Sequence, residues 1–177
     1  MGRDDGVWIY GDCEDKLISI CELTFHFSAI LLIISGQICP NGTVGLVNGP
    51  MCYKVMNKTV VWVEAEENCV QLGGHLATVP DAFTNGLLVA EVQLKIGIVD
   101  FYIGLNNYQD PKNCAGQWAD GQAFTGYSNF QNNPKPRCFE TPVCTVIDVF
   151  NGIWNLEYCT QDGGIIYSVC EIPNKKR

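Results

Sequence analysis

Trp62-Val63-Glu64-Ala65-Glu66-Glu67-Asn68-Cys69-Val70-Gln71-Leu72-Gly73-Gly74-His75-Leu76-Ala77 is the stretch on which the fold of this chain turns. Trp62, Ala65, Cys69 and Leu72 are spaced three, four and three apart, which puts them on one face of a helix. Glu64, Glu66 and Glu67 lie elsewhere around it, near an N-terminus whose dipole favours acids. Gly73-Gly74 stops the helix.

Working outward, Asp81 caps a second helix whose apolar positions are Phe83, Leu87, Ala90 and Leu94, with Gly86 weakening it. Beyond residue 100 the pattern changes to short strands and long turns. Phe101 to Leu105, Cys144 to Ile147 and Ile165 to Glu171 read as strands. Between them, Asn106 to Pro136 is rich in Asn, Gln, Gly and Pro, and an irregular stretch of that length in a small domain points to function. The fold class is therefore α+β: two helices packed on small antiparallel sheets, with a long irregular loop region.

The chain has 177 residues, 47% hydrophobic and 17% charged, which is enough apolar material for one globular domain with its own core. Ten cysteines, no C-x-x-C pair and only His26 and His75 as histidines leave no zinc-site spacing. An oxidising compartment follows. The net charge is −8, and Arg3 and Lys16 against Asp4, Asp5, Asp12, Glu14, Asp15 and Glu22 put −4 of it in residues 1–36. The one basic run, Lys175-Lys176-Arg177, is a solvated tail, and without a basic stripe no nucleic-acid partner is expected.

Leu23 to Ile38 is an apolar stretch interrupted by His26, Ser35, Gly36 and Gln37, shorter than the ~20 residues of a membrane-spanning helix. It fits the core of a signal peptide ending near Gly36, although the acidic residues before it are atypical. The expected division is residues 1–36 as signal peptide or N-terminal hydrophobic segment and 37–177 as the domain. A membrane enters only if the first segment is an uncleaved anchor. Removing it takes away Cys13 and Cys21 and leaves eight cysteines, for which pairing alone allows 105 connectivities. Asn41-Gly42-Thr43 and Asn57-Lys58-Thr59 are N-glycosylation sequons compatible with secretion.

Several motifs then fall into a recognisable order. The Trp62 to Ala77 segment, Tyr102-Ile103-Gly104-Leu105, Trp118-Ala119-Asp120-Gly121, Trp154-Asn155-Leu156 and Cys170-Glu171 together resemble the C-type lectin-like domain, from Cys39 to the chain end. The resemblance implies the pairing Cys69 with Cys170, Cys144 with Cys159, and Cys39 with Cys52, the last marking the long form with its N-terminal hairpin. Cys114 and Cys138 are left over, and a fourth bridge across the long loop is expected.

Sugar-binding members of that family hold Ca²⁺ through oxygen ligands at a proline motif, a Glu before the cysteine matching Cys144, and the Asn-Asp of Trp-Asn-Asp. Ca²⁺ needs six to eight oxygens. Here the proline motif is Asn133-Pro134-Lys135, Glu140 is displaced to four before Cys144, and Leu156 replaces the aspartate, so Asn155 alone matches cleanly. An ammonium about 5 Å from a divalent ion at an effective dielectric of about 20 is repelled by at most roughly 7 kcal/mol. Asn133, Lys135, Glu140 and Asn155 remain the candidate ligand-binding residues, with no metal and no cofactor expected and Ca²⁺ disfavoured.

Trp118 and Trp154 read as core residues, His75 as a hydrogen-bonded structural histidine, and Tyr108, Phe124, Tyr127 and Phe130 as either an exposed patch or loop packing. Catalysis finds no support: an even cysteine count leaves no thiol for His75 to activate, and no phosphate loop, Gly-x-Ser-x-Gly or His-Glu-x-x-His motif occurs. The expected function is a secreted, extracellular recognition module that binds a glycan or an extracellular protein ligand. The resemblance implies roles such as carbohydrate binding or defence. A Ca²⁺-dependent lectin with a degenerate site and a membrane-anchored receptor stay open beside it.

Overall fold

The computed structural model describes residues 39–46, 49–107, 116–131, 141–159 and 165–174. Along them run β1 (Met51–Val60), α1 (Trp62–Gln71), β2 (His75–Leu76), α2 (Ala82–Lys95), β3 (Phe101–Asn106), β4 (Val143–Ile147), β5 (Trp154–Tyr158) and β6 (Ile166–Pro173).

Helix α1 buries Trp62, Ala65 and Cys69 as its spacing predicts, but Leu72 is the C-cap and lies at the surface. The helix ends there in a Schellman motif: Gly73 N donates to the Val70 carbonyl at 2.9 Å and Gly74 N to the Cys69 carbonyl at 3.1 Å. The two glycines serve different ends. Gly73 supplies the left-handed conformation, with φ at 81°, and Gly74 brings the chain so close to β6 that a β-carbon would collide with the Glu171 carbonyl.

Helix α2 starts at its expected cap, where an Asp81 side-chain oxygen accepts from Thr84 N at 2.7 Å. Its inward face is not the expected one. Thr84, Asn85, Leu88 and Val92 are buried, whereas Phe83, Ala90 and Leu94 face solvent and Leu87 is half-buried. The helix carries apolar residues on both sides, so periodicity could not choose between them. The choice is made by polar partners: Asn85 Oδ1 accepts from the Trp154 indole at 2.7 Å, and its amide donates to the Gly152 carbonyl at 3.1 Å.

The strands form a single sheet in the order β1-β6-β3-β4-β5, with β2 also pairing with β6. All pairings are antiparallel except β3 with β6, which is parallel through Phe101 with Tyr167 and Tyr102 with Ser168. That pairing unites what the sequence suggested as separate small antiparallel sheets, and the α+β class holds. Strand β3 is buried along its whole length because both of its faces are covered. Phe101, Ile103 and Leu105 join Leu88 and Val92 of α2 in one core cluster, while Tyr102 joins Trp62, Ala65 and Cys69 of α1 in another.

Among the described residues, three bridges brace this frame. Cys69 of α1 is bonded to Cys170 of β6, Cys144 to Cys159 across β4 and the end of β5, and Cys39 to Cys52 at the N-terminal hairpin, with Cα separations of 5.3, 5.1 and 5.6 Å. Cys114, Cys138 and residues 1–36 lie outside the described residues.

Candidate recognition surface

The long loop leaves β3 and returns to β4 between two adjacent asparagines. Asn106 exchanges backbone hydrogen bonds with Gln117 at 2.9 and 2.8 Å, and its side-chain amide donates to the carbonyls of Gly104 and Gln117. Asn107 binds the return strand: its side-chain oxygen accepts from Val143 N at 2.6 Å, and its own N–H donates to the Val143 carbonyl at 3.1 Å. These buried amides clamp the ends of the loop. Within it, Trp118-Ala119-Asp120-Gly121 forms a tight turn, closed by Gly121 N donating to the Trp118 carbonyl at 2.9 Å.

Trp154 anchors the rest of the described loop. Trp118, Phe124, Tyr127 and Phe130 set their rings against it at centroid distances between 5.4 and 6.3 Å, three of them edge-on. Trp154 N also donates to the Asn129 carbonyl at 3.0 Å. Phe124, Tyr127 and Phe130 therefore pack the loop instead of forming an exposed patch, and Tyr108 lies outside the described residues.

Strand β5 continues outward from Trp154 at the edge of the sheet. Asn155 stands opposite Val146 and Glu157 opposite Cys144, so this amide and this carboxylate share one face of the strand. Leu156 and Tyr158, 37% and 51% exposed, occupy the other face. Glu157 was not a candidate from sequence, although its position two residues from Asn155 in a strand is the signal that identifies it. Its charge reaches inward too: burial first, and then Glu157, push the Tyr102 hydroxyl up to about 12.

As a Ca²⁺ site this arrangement fits poorly, because Leu156 offers no side-chain oxygen and β5 supplies only Asn155 and Glu157 as donors. Among the described residues, no group of three or more His, Cys, Asp or Glu side chains is arranged to hold a metal ion. Asn133, Lys135 and Glu140 lie outside the described residues. The surface that is described can donate and accept hydrogen bonds through Asn155, accept through Glu157 and offer apolar contact through Leu156 and Tyr158.

A cleft of about 380 Å³ opens elsewhere, lined by Tyr53, Thr78, Asp81, Thr84 and Glu171 among others. Its carboxylates are already engaged. The two Glu171 oxygens accept from the Thr78 backbone and hydroxyl at 2.9 and 3.0 Å, and Asp81 caps α2. Similarly, Glu66 accepts from Leu76 N at 2.8 Å and contacts His75 Nδ1 at 2.6 Å, tying α1 to β2. His75 is thus the structural histidine expected.

Both sequons are accessible. Asn41 lies in an exposed turn, and exposed Asn57 sits where β1 bulges away from β6, between the pairs Met56 with Ser168 and Val60 with Ile166.

A disulfide-braced α+β frame with a clamped long loop defines a class of recognition domain, and the comparisons agree. The lectin C-type domain family model matches residues 58–172, and the chain belongs to that family of non-catalytic recognition proteins. It is 33% identical to mouse lymphocyte antigen 75 over 173 residues, covering 92% of this chain and 9% of that protein. The match to the human counterpart covers 6% of its length, so the chain spans a small fraction of these relatives. Against the snaclec bitiscetin subunit alpha of Bitis arietans, identity is 32% over 97 residues, covering 53% of this chain and 71% of the snaclec subunit. The fold matches human lithostathine with a TM-score of 0.64 at 20% identity, covering 77% of this chain and 92% of that one. Among the described residues no helix is long and apolar enough to cross a membrane.

Proposed function

We propose that this chain is a secreted recognition domain that binds a glycan or an extracellular protein ligand without the Ca²⁺-dependent sugar site of its family. The carrying observation is Leu156 beside Asn155 on β5: the frame that presents the site is intact, while an oxygen ligand is replaced by a hydrocarbon. Asn155 and Glu157 then act as direct hydrogen-bonding groups, and Asn133, Lys135 and Glu140, the other candidates of the sequence, complete the ligand-binding set. Residues 1–36 are removed as a signal, residues 37–177 form the mature domain, and Cys114 with Cys138 pins the long loop. Asn41 and Asn57 carry N-glycans, for which their exposure is the supporting observation.

The test is a glycan and extracellular-protein array probed with and without chelator, together with calorimetric titration of Ca²⁺. Ligand binding unchanged by chelator, and lost on Asn155→Ala or Glu157→Ala, is the expected result. Saturable Ca²⁺ binding tighter than about 1 mM that disappears in Asn155→Ala would overturn the proposal. N-terminal sequencing of the product released by eukaryotic cells checks the signal; finding the chain only in the membrane fraction would favour an anchored receptor instead.

A further inference from the structure

We infer that Asn41, wherever it escapes glycosylation, is a site of spontaneous deamidation, and that among the Asn-Gly pairs whose asparagine is described the fold confines this reaction to it. The chain holds four such pairs: Asn41-Gly42, Asn48-Gly49, Asn85-Gly86 and Asn151-Gly152. Each puts an amide side chain next to a backbone nitrogen that no side chain shields, because glycine has none. Asn48 lies outside the described residues. The other three share the same local chemistry and differ in what surrounds them.

Asn85 is buried in α2, its oxygen accepting from the Trp154 indole at 2.7 Å and its amide donating to the Gly152 carbonyl at 3.1 Å. Asn151 is exposed but held at both ends. Its amide donates to Asp148 Oδ2 and its oxygen accepts from Ile153 N, each at 2.8 Å, while Gly152 N donates to the Asp148 carbonyl at 2.7 Å. Asn41 has none of these restraints. It and Gly42 are exposed in a β-turn closed by Thr43 N donating to the Pro40 carbonyl at 3.0 Å, in which Gly42 has φ at 80°. Among the described residues, neither the Asn41 side chain nor Gly42 N has a hydrogen-bond partner. The space beside Gly42 is open as well, since a β-carbon there would meet nothing within 4 Å.

The reaction needs water and no oxidant. The Gly42 nitrogen loses its proton to solvent and attacks Asn41 Cγ. A new C–N bond closes a cyclic succinimide, and the bond from Cγ to Nδ2 breaks, Nδ2 leaving as ammonia with a proton taken from solvent. Water then adds at either ring carbonyl and reopens it, giving aspartate where the backbone is restored or isoaspartate where the backbone now runs through the side chain. In sum one water enters and one ammonia leaves. Either product places a new carboxylate near Lys95, whose Nζ donates to the Gly42 carbonyl at 3.2 Å, and isoaspartate also adds a carbon to the backbone of the turn. The contact that ties this turn to the end of α2 is thereby altered. An N-glycan occupies the same Nδ2, so occupancy of the sequon decides which fate the residue meets.

The experiment is peptide mapping by mass spectrometry of the disulfide-bonded chain as released from eukaryotic cells, parent and Thr43→Val, after weeks in neutral and in mildly alkaline buffer. Thr43→Val abolishes the sequon with little change of shape, and Thr43→Ala serves the same purpose should valine disturb the turn. In the variant the Asn41 peptide should gain about one dalton and split into aspartate and isoaspartate forms. The rate should rise about tenfold per pH unit, because the reactive species is the deprotonated nitrogen, while the Asn85 and Asn151 peptides lag by an order of magnitude. In urea all three should react at comparable rates, which assigns the difference to the fold. Gly42→Ala should slow the reaction at Asn41, because a side chain then crowds the nitrogen. In the parent, deamidation should be confined to the fraction without glycan; a parent carrying no glycan at Asn41 and deamidating like the variant would refute the glycosylation reading and support this one. An Asn41 that survives in the folded variant while reacting in urea overturns the inference, as does an Asn85 or Asn151 that reacts as fast in the folded chain.

Discussion

At Gly74 the approach of the α1 terminus to β6 leaves no room for a side chain, because any β-carbon would enter the Glu171 carbonyl. Gly74→Ala is expected to lower stability by about 3 kcal/mol through forced displacement of one backbone by the other. At Gly73 only the left-handed conformation is at stake, and alanine there should lower stability by about 1 kcal/mol. Urea denaturation midpoints of the two variants check this order. Glu171 itself is buried, and burial raises its pKa above the ordinary 4.5 despite the two hydrogen bonds from Thr78. The native state therefore holds this proton to higher pH than the unfolded chain does. Its contribution is present below the ordinary value and is lost as pH rises through the raised one. Glu171→Gln keeps an acceptor for Thr78 N and a donor for its hydroxyl but cannot titrate. Its stability should fall less steeply than that of the parent as pH rises from about 4.5, and parallel curves would refute the assignment. Asp100, raised by burial and then by Asp148, contributes in the same direction and leaves part of the slope in place.

Among the elements, the segment 116–131 depends on a residue outside itself. Its rings and the Asn129 carbonyl converge on Trp154, whose indole is fixed by Asn85 of α2. Trp154→Ala should lower stability by about 3–5 kcal/mol. Amide hydrogen exchange should show protection lost first across 116–131, with the β1–β6 pairing retained. A uniform loss throughout the domain would show that this segment is not a separable unit. Helix α2 shows the limit of local reading. Its cap and length follow from Asp81 and the apolar run, but its orientation does not, because the buried side is chosen by Trp154 and Gly152, which lie far along the chain.

At the scale of the domain, the long bridge joins α1 to β6, the strand that pairs with β1, β2 and β3. In the chain-entropy model a loop of about 100 residues stabilises by about 4.7 kcal/mol, and one of about 13–15 by about 3; the separations here are 101 for Cys69–Cys170 and 13 for Cys39–Cys52. Replacing Cys69 and Cys170 together by alanine should therefore lower the melting temperature more than the same change at Cys39 and Cys52. Calorimetry of the two double variants measures the difference, and the reverse order would show that native-state packing at the hairpin outweighs loop entropy.

What the amino-acid order determined by itself is whatever depends on neighbours in the chain: the start and stop of α1, the cap of α2, the strands near Phe101, Cys144 and Ile166, and the family through its motifs. The proposed recognition surface was only partly legible. Asn155 is marked by the tripeptide around it, whereas Glu157 becomes its companion only once β5 is seen as a strand with alternating faces. Tertiary structure alone decided which side of α2 is buried, how the parallel β3–β6 pairing makes one sheet, and that the loop aromatics turn inward. Each of those outcomes is set by contacts between residues distant in sequence, whose free energies exceed the local preferences that a periodic pattern reports.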